Sequence, residues 1–304
     1  MMKCFVFLYK ITSMRYLDPK NDLTFRKVFG QHPRLLKSFL NAMLPLTVPI
    51  KDLEYLPAEL VPEVPLLKYS IVDVRCIDEQ GRQFIVEMQM LWTDSFKTRV
   101  LFNASKAYVR QLEKGFEYKQ LQPVYALSLV NQVFEHDMEE FYHHYKIVHL
   151  ANNDKVLEGL EFVFVEIPKF KAANFNEKRL QVLWLRYLSE IKNATETIAP
   201  ELFEVQEISE AIELLQESAY SKSELMAYDK YWDSISVERT LVTDSFVEGK
   251  QIGKIEGKIE GKNEGIGLMI INGYKAGGTI GFLAQMSRMG EDEVLKILKS
   301  AKSL

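Results

Sequence analysis

From Asn21-Asp22 the apolar positions Phe25, Val28 and Phe29 recur at helical spacing, Gly30 and Pro33 interrupt, and Leu36, Phe39, Leu40 and Met43 resume the period. The pattern predicts two short consecutive helices. Pro45, Pro49, Pro57, Pro62 and Pro65 then crowd a stretch too densely for a helix interior, so an extended connection follows. Between Tyr69 and Met90 two runs alternate strictly around Asp78-Glu79-Gln80-Gly81-Arg82, as in an antiparallel hairpin with one buried and one polar face. Val72, Val74, Cys76, Phe84, Val86, Met88 and Met90 share one side, and Asp73, Arg75, Gln83, Glu87 and Gln89 share the other. A helix is expected from Ser95 to a stop at Gly115, and strands at Pro123 to Val130, Tyr145 to Leu150 and Phe162 to Ile167. This order of helix, hairpin, helix and strand indicates an α/β domain over residues 14–170.

Beyond Asn174 the apolar spacing turns helical, with Leu180, Leu183, Trp184 and Leu188, then Ile208, Ile212 and Leu215, then Leu225 to Phe246. Residues 171–248 are therefore expected to form a helical domain, in which Trp184 and Tyr187 belong to the core. Residues 249–265 form a low-complexity repeat with Gly249, Gly253, Gly257, Gly261 and Gly265 at every fourth position, and 266–304 suggest small helices around Ala276-Gly277-Gly278. The repeat is not a phosphate loop of the Walker type, which needs four residues between its glycines and Ser or Thr after the Lys.

The chain has 304 residues, 47% of them hydrophobic and 26% charged, which fits a folded protein of about two domain lengths and excludes a disordered or collagen-like one. Its two cysteines, Cys4 and Cys76, cannot build a disulfide framework, and with no C-x-x-C motif a reducing cytoplasmic setting without structural zinc is expected. A net charge of -4 means that nucleic-acid binding has to come from a local patch. The apolar run Cys4 to Tyr9 is too short for an export signal, residues 1–13 read as an extension, and Met14 is an alternative start. No stretch is long and apolar enough to predict a membrane span.

The hairpin carries the chemistry. A loop of Glu79-Gln80-Gly81, with the glycine left-handed, pairs residues whose numbers sum to 160, and Asp73 and Glu87 satisfy that sum. Two carboxylates so placed repel unless one takes up a proton, an arginine approaches or a cation binds. Gln89 shares their face. His143 and His144, being adjacent, face opposite sides of any strand and make a poor metal pair.

The segments KNDLTFRKVFG, VDV (72–74), VEMQ (86–89) and the tract R-x8-Y-x2-Q-x3-G-x2-Y-x2-L-x-P from Arg99 to Pro123 are similar to those of the recombination-promoting nucleases and transposases, a branch of the PD-(D/E)XK nuclease superfamily. The resemblance is most specific over residues 15–135. It implies a restriction-endonuclease-like α/β core, a mixed sheet flanked by helices, followed by an α-helical C-terminal region. It implies a DNA endonuclease using Mg²⁺ or Mn²⁺, with Asp73 and Glu87 as catalytic metal ligands and Gln89 where lysine usually stands, which removes a cation from the site. Val72 stands in place of the proline. Asp22 matches an acidic position of the family's first helix, reaching a second metal or a metal-bound water, with an N-cap as the competing reading. Arg99, Lys106, Tyr108, Arg110 and Gln111 become candidate DNA contacts, against simple helix packing or solvation.

Three further expectations remain open at this point. A catalytically decayed DNA-binding or assembly protein keeping the same fold is the alternative function. If helical, the repeat stacks Lys250, Lys254, Lys258 and Lys262 in one stripe and Glu256, Glu260 and Glu264 in another, so that a homo-oligomer pairs unlike stripes, with a flexible linker as the alternative. The helices of 266–304 are a candidate helix-turn-helix.

Overall fold

The run Val124–Val130 holds the centre of the fold, since every residue in it is buried. Tyr125, Leu127 and Leu129 enter one apolar cluster, and Val124, Ala126 and Val130 enter another on the opposite side. A strand of this kind fits only a sheet covered on both faces. A computed structural model describes residues 15–60, 70–112, 117–172, 179–193 and 195–301. The expected extension at 1–13 lies outside them.

In chain order the first unit contains α1 (Asp22–Phe29), α2 (Pro33–Met43), β1 (Leu53–Tyr55), β2 (Glu59–Leu60), β3 (Ser70–Ile71), β4 (Val74–Asp78) and β5 (Gln83–Gln89). There follow α3 (Ser95–Val109), β6 (Val124–Val130), β7 (Tyr142–His149), β8 (Asn152–Glu166), α4 (Arg179–Glu190) and α5 (Gln206–Glu213). Six strands form one mixed sheet in the order β1-β4-β5-β6-β8-β7, with β5, β6 and β8 parallel and the other neighbours antiparallel. The strands β2 and β3 pair apart from it. The fold is thus the expected α/β core with a mixed sheet flanked by helices.

On one face α1, α2, α4 and α5 pack over Val74, Cys76, Val86 and Leu127. Phe29 anchors that layer, its ring 4.6 Å from Phe39 and 5.5 Å from Trp184 between centroids. Trp184 and Tyr187 are fully buried there, in the layer their spacing suggested. The helices expected to form a separate domain from residue 171 share this core instead. Contacts divide the chain at Ile235/Ser236, because the apolar stripes of α4 and α5 have no other surface to bury. On the other face α3 lays Phe96, Val100, Ala104 and Ala107 against Ile85, Val124, Ala126 and Phe164.

The β4–β5 hairpin keeps the expected register, pairing Val74 with Val86, Arg75 with Ile85, Cys76 with Phe84 and Ile77 with Gln83. Gly81 has φ +82° and Asp78 and Arg82 close the loop, so the left-handed position falls on the glycine. The polar face of Asp73, Arg75, Gln83, Glu87 and Gln89 lies under α3, where buried Arg75 donates to Gln83 at 2.8 Å. One expectation fails here. The first strand is not continuous: Ser70–Ile71 pairs with β2, and Val72 donates to the Ala58 carbonyl. Val72 therefore joins the α3-side cluster, away from Val74 and Cys76.

The strands β7 and β8 are longer than their sequence pattern predicts, because Asn152 to Leu157 of β8 stand mostly in solvent and carry no apolar alternation. Helix α3 ends at Val109, with Arg110 as its C-cap, and the stop expected at Gly115 lies outside the described residues.

The helix α6 (Lys222–Lys275) is continuous through the glycine repeat, and each residue from Ser236 to Gly265 is exposed. Its last turns, with α7 (Ile280–Ser287) and α8 (Glu291–Ser300), enclose a small core of Ile270, Leu283, Val294 and Leu298. Among the described residues no helix is long and apolar enough to cross a membrane.

Candidate active site

The break before β4 builds the site. Asp73 occupies the position next to the Val74–Val86 rung, and its Oδ2 accepts the Met88 N–H at 2.7 Å, standing in for a ladder bond. Glu87 is on β5 facing α3, 7% exposed, and its Oε1 accepts from Asn103 Nδ2 at 3.1 Å. Asp73, Glu87, Met88 and Gln89 line one cleft of about 670 Å³, closed on the far side by Ser95, Thr98, Arg99, Phe102 and Asn103 of α3. The tight loop sets the register, and the register places the acids together.

Burial raises both carboxyl pKa values. For Asp73 the Met88 N–H opposes that rise, Asp22 adds to it and Arg26 lowers it. For Glu87 the Asn103 amide opposes it, Asp73 adds to it and Arg99 lowers it. Glu87 thus feels Asp73, and Asp73 feels Asp22, through a poorly hydrated space, which favours a proton or a cation among them. Two arginines supply part of that charge. Arg26 donates to Asp22 at 2.7 Å and to Asp73 at 3.4 Å, and Arg99 Nη2 lies 3.7 Å from Glu87 Oε2.

Asp22 therefore reaches the site through Arg26. Its N-cap reading is incorrect, because Asn21 caps α1 by accepting the Leu23 N–H. Gln89 is fixed at both ends: Oε1 accepts from Arg99 at 2.7 Å and Nε2 donates to the Leu91 carbonyl at 2.5 Å. The remaining candidates lie elsewhere. Lys106 holds the Leu60 carbonyl at 2.7 Å and so ties β2 to α3. Tyr108 packs on the backbone at Gly159, where an added Cβ would meet its hydroxyl at 3.2 Å. Gln111 clamps both the N–H and the C=O of Gln122, each at 2.8 Å, fixing the entry to β6. Arg110 caps α3, and its charge lowers the pKa of Arg75 and Lys106 after burial has done so.

Sequence reasoning missed Arg26 and Asn103. The Asp22–Arg26 spacing of four and the Arg99–Asn103 spacing of four were both visible, and each places its pair on one side of a helix. His143 and His144 face opposite sides of β7, as their adjacency implies, and bond Glu166 at 2.7 Å and Glu161 at 2.9 Å respectively.

A family profile described as PD-(D/E)XK nuclease family transposase matches residues 19–240. The chain belongs to this family. No curated protein and no solved structure matches it. The matched segment spans the α/β core and reaches into α6. Among the described residues no three His, Cys, Asp or Glu side chains cluster as a complete metal cage. Two carboxylates nonetheless suit a hard ion that keeps most of its waters, and the buried Asn103 Oδ1, which has no hydrogen-bond partner, offers such waters an acceptor. The donor set fits Mg²⁺ or Mn²⁺.

The C-terminal helices offer less. In a helix-turn-helix the N-terminal residues of the second helix face the bases, and here the first turn of α8 is Glu291-Asp292-Glu293, which repels phosphate.

Proposed function

We propose that this chain is a Mg²⁺- or Mn²⁺-dependent DNA endonuclease, hydrolysing phosphodiester bonds in the cytoplasm during recombination or the movement of mobile elements. The single observation that carries the reading is the carboxylate pair of half-buried Asp73 and buried Glu87, lining one cleft in a member of a nuclease family.

Asp73 and Glu87 would hold the divalent ion, with Asn103 orienting Glu87 through its amide. When bound, the ion supplies a Lewis acid that lowers the pKa of a water and offsets charge on the phosphate. The water oxygen bonds to phosphorus as the bond to one sugar oxygen breaks, leaving a phosphomonoester and a hydroxyl. One water proton passes to solvent and the departing oxygen gains one. Gln89 keeps one amide hydrogen beyond its bond to Leu91, and this positions the attacking water or a phosphate oxygen.

The second reading, a decayed DNA-binding or assembly protein, is favoured by the loss of a charge at Gln89. Supercoiled plasmid incubated with and without Mg²⁺ separates the two. The nuclease nicks it only with metal, and Asp73→Ala abolishes nicking. Metal-independent nicking, or nicking retained by the variant, contradicts the assignment, and DNA binding without any cleavage supports decay.

The repeat adds a partner to this proposal, a second copy of the chain. In a parallel pair the Lys stripe of one α6 faces the Glu stripe of the other, whereas an antiparallel pair sets like charges together. Light scattering of protein ending at Glu248 shows a reduced oligomeric state if the pairing holds, and an unchanged one removes it.

A further inference from the structure

Gln89 leaves the sheet without a cation where the site faces a phosphate, and α3 places one over the gap. Arg99 Nη2 donates to Gln89 Oε1 at 2.7 Å and lies 3.7 Å from Glu87 Oε2. Its guanidinium carbon is 4.9 Å from the centroid of the Phe96 ring, and Phe96 is fully buried. The group is therefore held by an amide, a carboxylate and an aromatic face, while its side chain stays 46% exposed in the cleft. Five N–H donors in a planar fork exceed what those partners take, so the rest are directed to a ligand that accepts hydrogen bonds and carries negative charge.

The other arginine of the site is differently placed. Arg26 is matched by Asp22 one turn earlier on its own helix, and both are about equally exposed. Helix α3 contains no acidic residue at all between Ser95 and Val109, so no carboxylate of its own helix matches Arg99. Its location beside Gln89 also explains how an uncharged residue is tolerated there: Gln89 presents its oxygen, not its amide, to the helix and so positions a charge that it does not itself carry.

We infer that Arg99 is the cation of this active site, contacting a non-bridging oxygen of the DNA phosphate from α3 in the role that a lysine at position 89 would fill. The inference rests on the nuclease reading above. A cation in that place has two effects of opposite sign. It stabilises the charge that builds on the phosphate, and it repels the divalent ion held by Asp73 and Glu87. A residue that merely braces the site would help both metal binding and cleavage.

The test measures both quantities on the full chain, with Mn²⁺ affinity read by calorimetry without DNA. Arg99→Gln is expected to bind Mn²⁺ about 5-fold more tightly and to nick plasmid about 100-fold more slowly. Arg99→Lys falls between, and the double variant Gln89→Lys/Arg99→Gln recovers much of the lost rate. Weaker Mn²⁺ binding by Arg99→Gln, or nicking at the wild-type rate, overturns the inference while leaving the nuclease reading intact. Wild-type protein that neither binds Mn²⁺ nor nicks DNA refutes that reading itself.

Discussion

In the β4–β5 hairpin charged side chains are held by neighbours, with Arg82 on Asp78 at 2.6 Å, Arg75 on Gln83 and Glu87 between Asn103 and Arg99. Between Ser236 and Gly265 of α6 the charges stand in solvent, and a Cβ added at Gly249, Gly253, Gly257, Gly261 or Gly265 would meet nothing within 4 Å. Both regions are rich in charge, and the consequences differ. Under α3, low hydration makes each unmatched charge costly, so it must be paired or must bind something. In the repeat, water screens the charges, while each glycine costs about 1 kcal/mol relative to alanine and the helix has no packing to offset it. On the proposals above, one region binds a small ion and the other a second helix.

The largest expected effect separates packed from bare surface. Trp184→Ala removes a fully buried ring and should cost about 3–5 kcal/mol in urea unfolding. Ile255→Ala, at a side chain 60% exposed, should change stability by under about 0.5 kcal/mol. A larger loss at Ile255 would place that side chain, and not only the Lys and Glu stripes, in the contact with a second copy.

Glycine gives the next contrast. Gly81→Ala forces a side chain into φ +82° and should destabilise by about 1–3 kcal/mol. Gly257→Ala, in open space on a helix, should raise helicity and stabilise by about 1 kcal/mol. Equal effects of the two would erase the distinction.

The smallest effect is on reactivity alone. Burial, with Asp78 adding to it, pushes the Cys76 thiol up to about 12, so in a Cys4→Ser background it should resist a maleimide at pH 8 until the protein unfolds. A cysteine introduced by Gly257→Cys should react at once. Rapid labelling of Cys76 in the folded state would mean that the hairpin opens easily.

The hairpin was legible because its turn obeys a local rule: a glycine in the third loop position sets the register, and period-two alternation confirms it. The sheet's outer strands were not, since β7 and the first half of β8 bury little and carry no pattern for a period to reveal. The single core formed by α1, α2, α4 and α5 was also hidden, because helical spacing shows which face is apolar and not what covers it. At the site, Asp73 and Glu87 followed from the register, and the structure brings Gln89 beside them. Lys106, Tyr108 and Gln111 are instead engaged in holding β2, Gly159 and Gln122. A one-dimensional tract does not distinguish a residue that faces a cleft from one that fastens its wall.

The central claim is that Asp73 and Glu87 jointly hold a divalent ion, and thermal unfolding in the presence of Mn²⁺ tests it most directly. A ligand that binds only the folded state raises the melting temperature with its concentration. Wild-type protein should show that rise, while Asp73→Asn and Glu87→Gln should each melt at the same temperature with and without Mn²⁺. An equal Mn²⁺ response in all three proteins would contradict the claim.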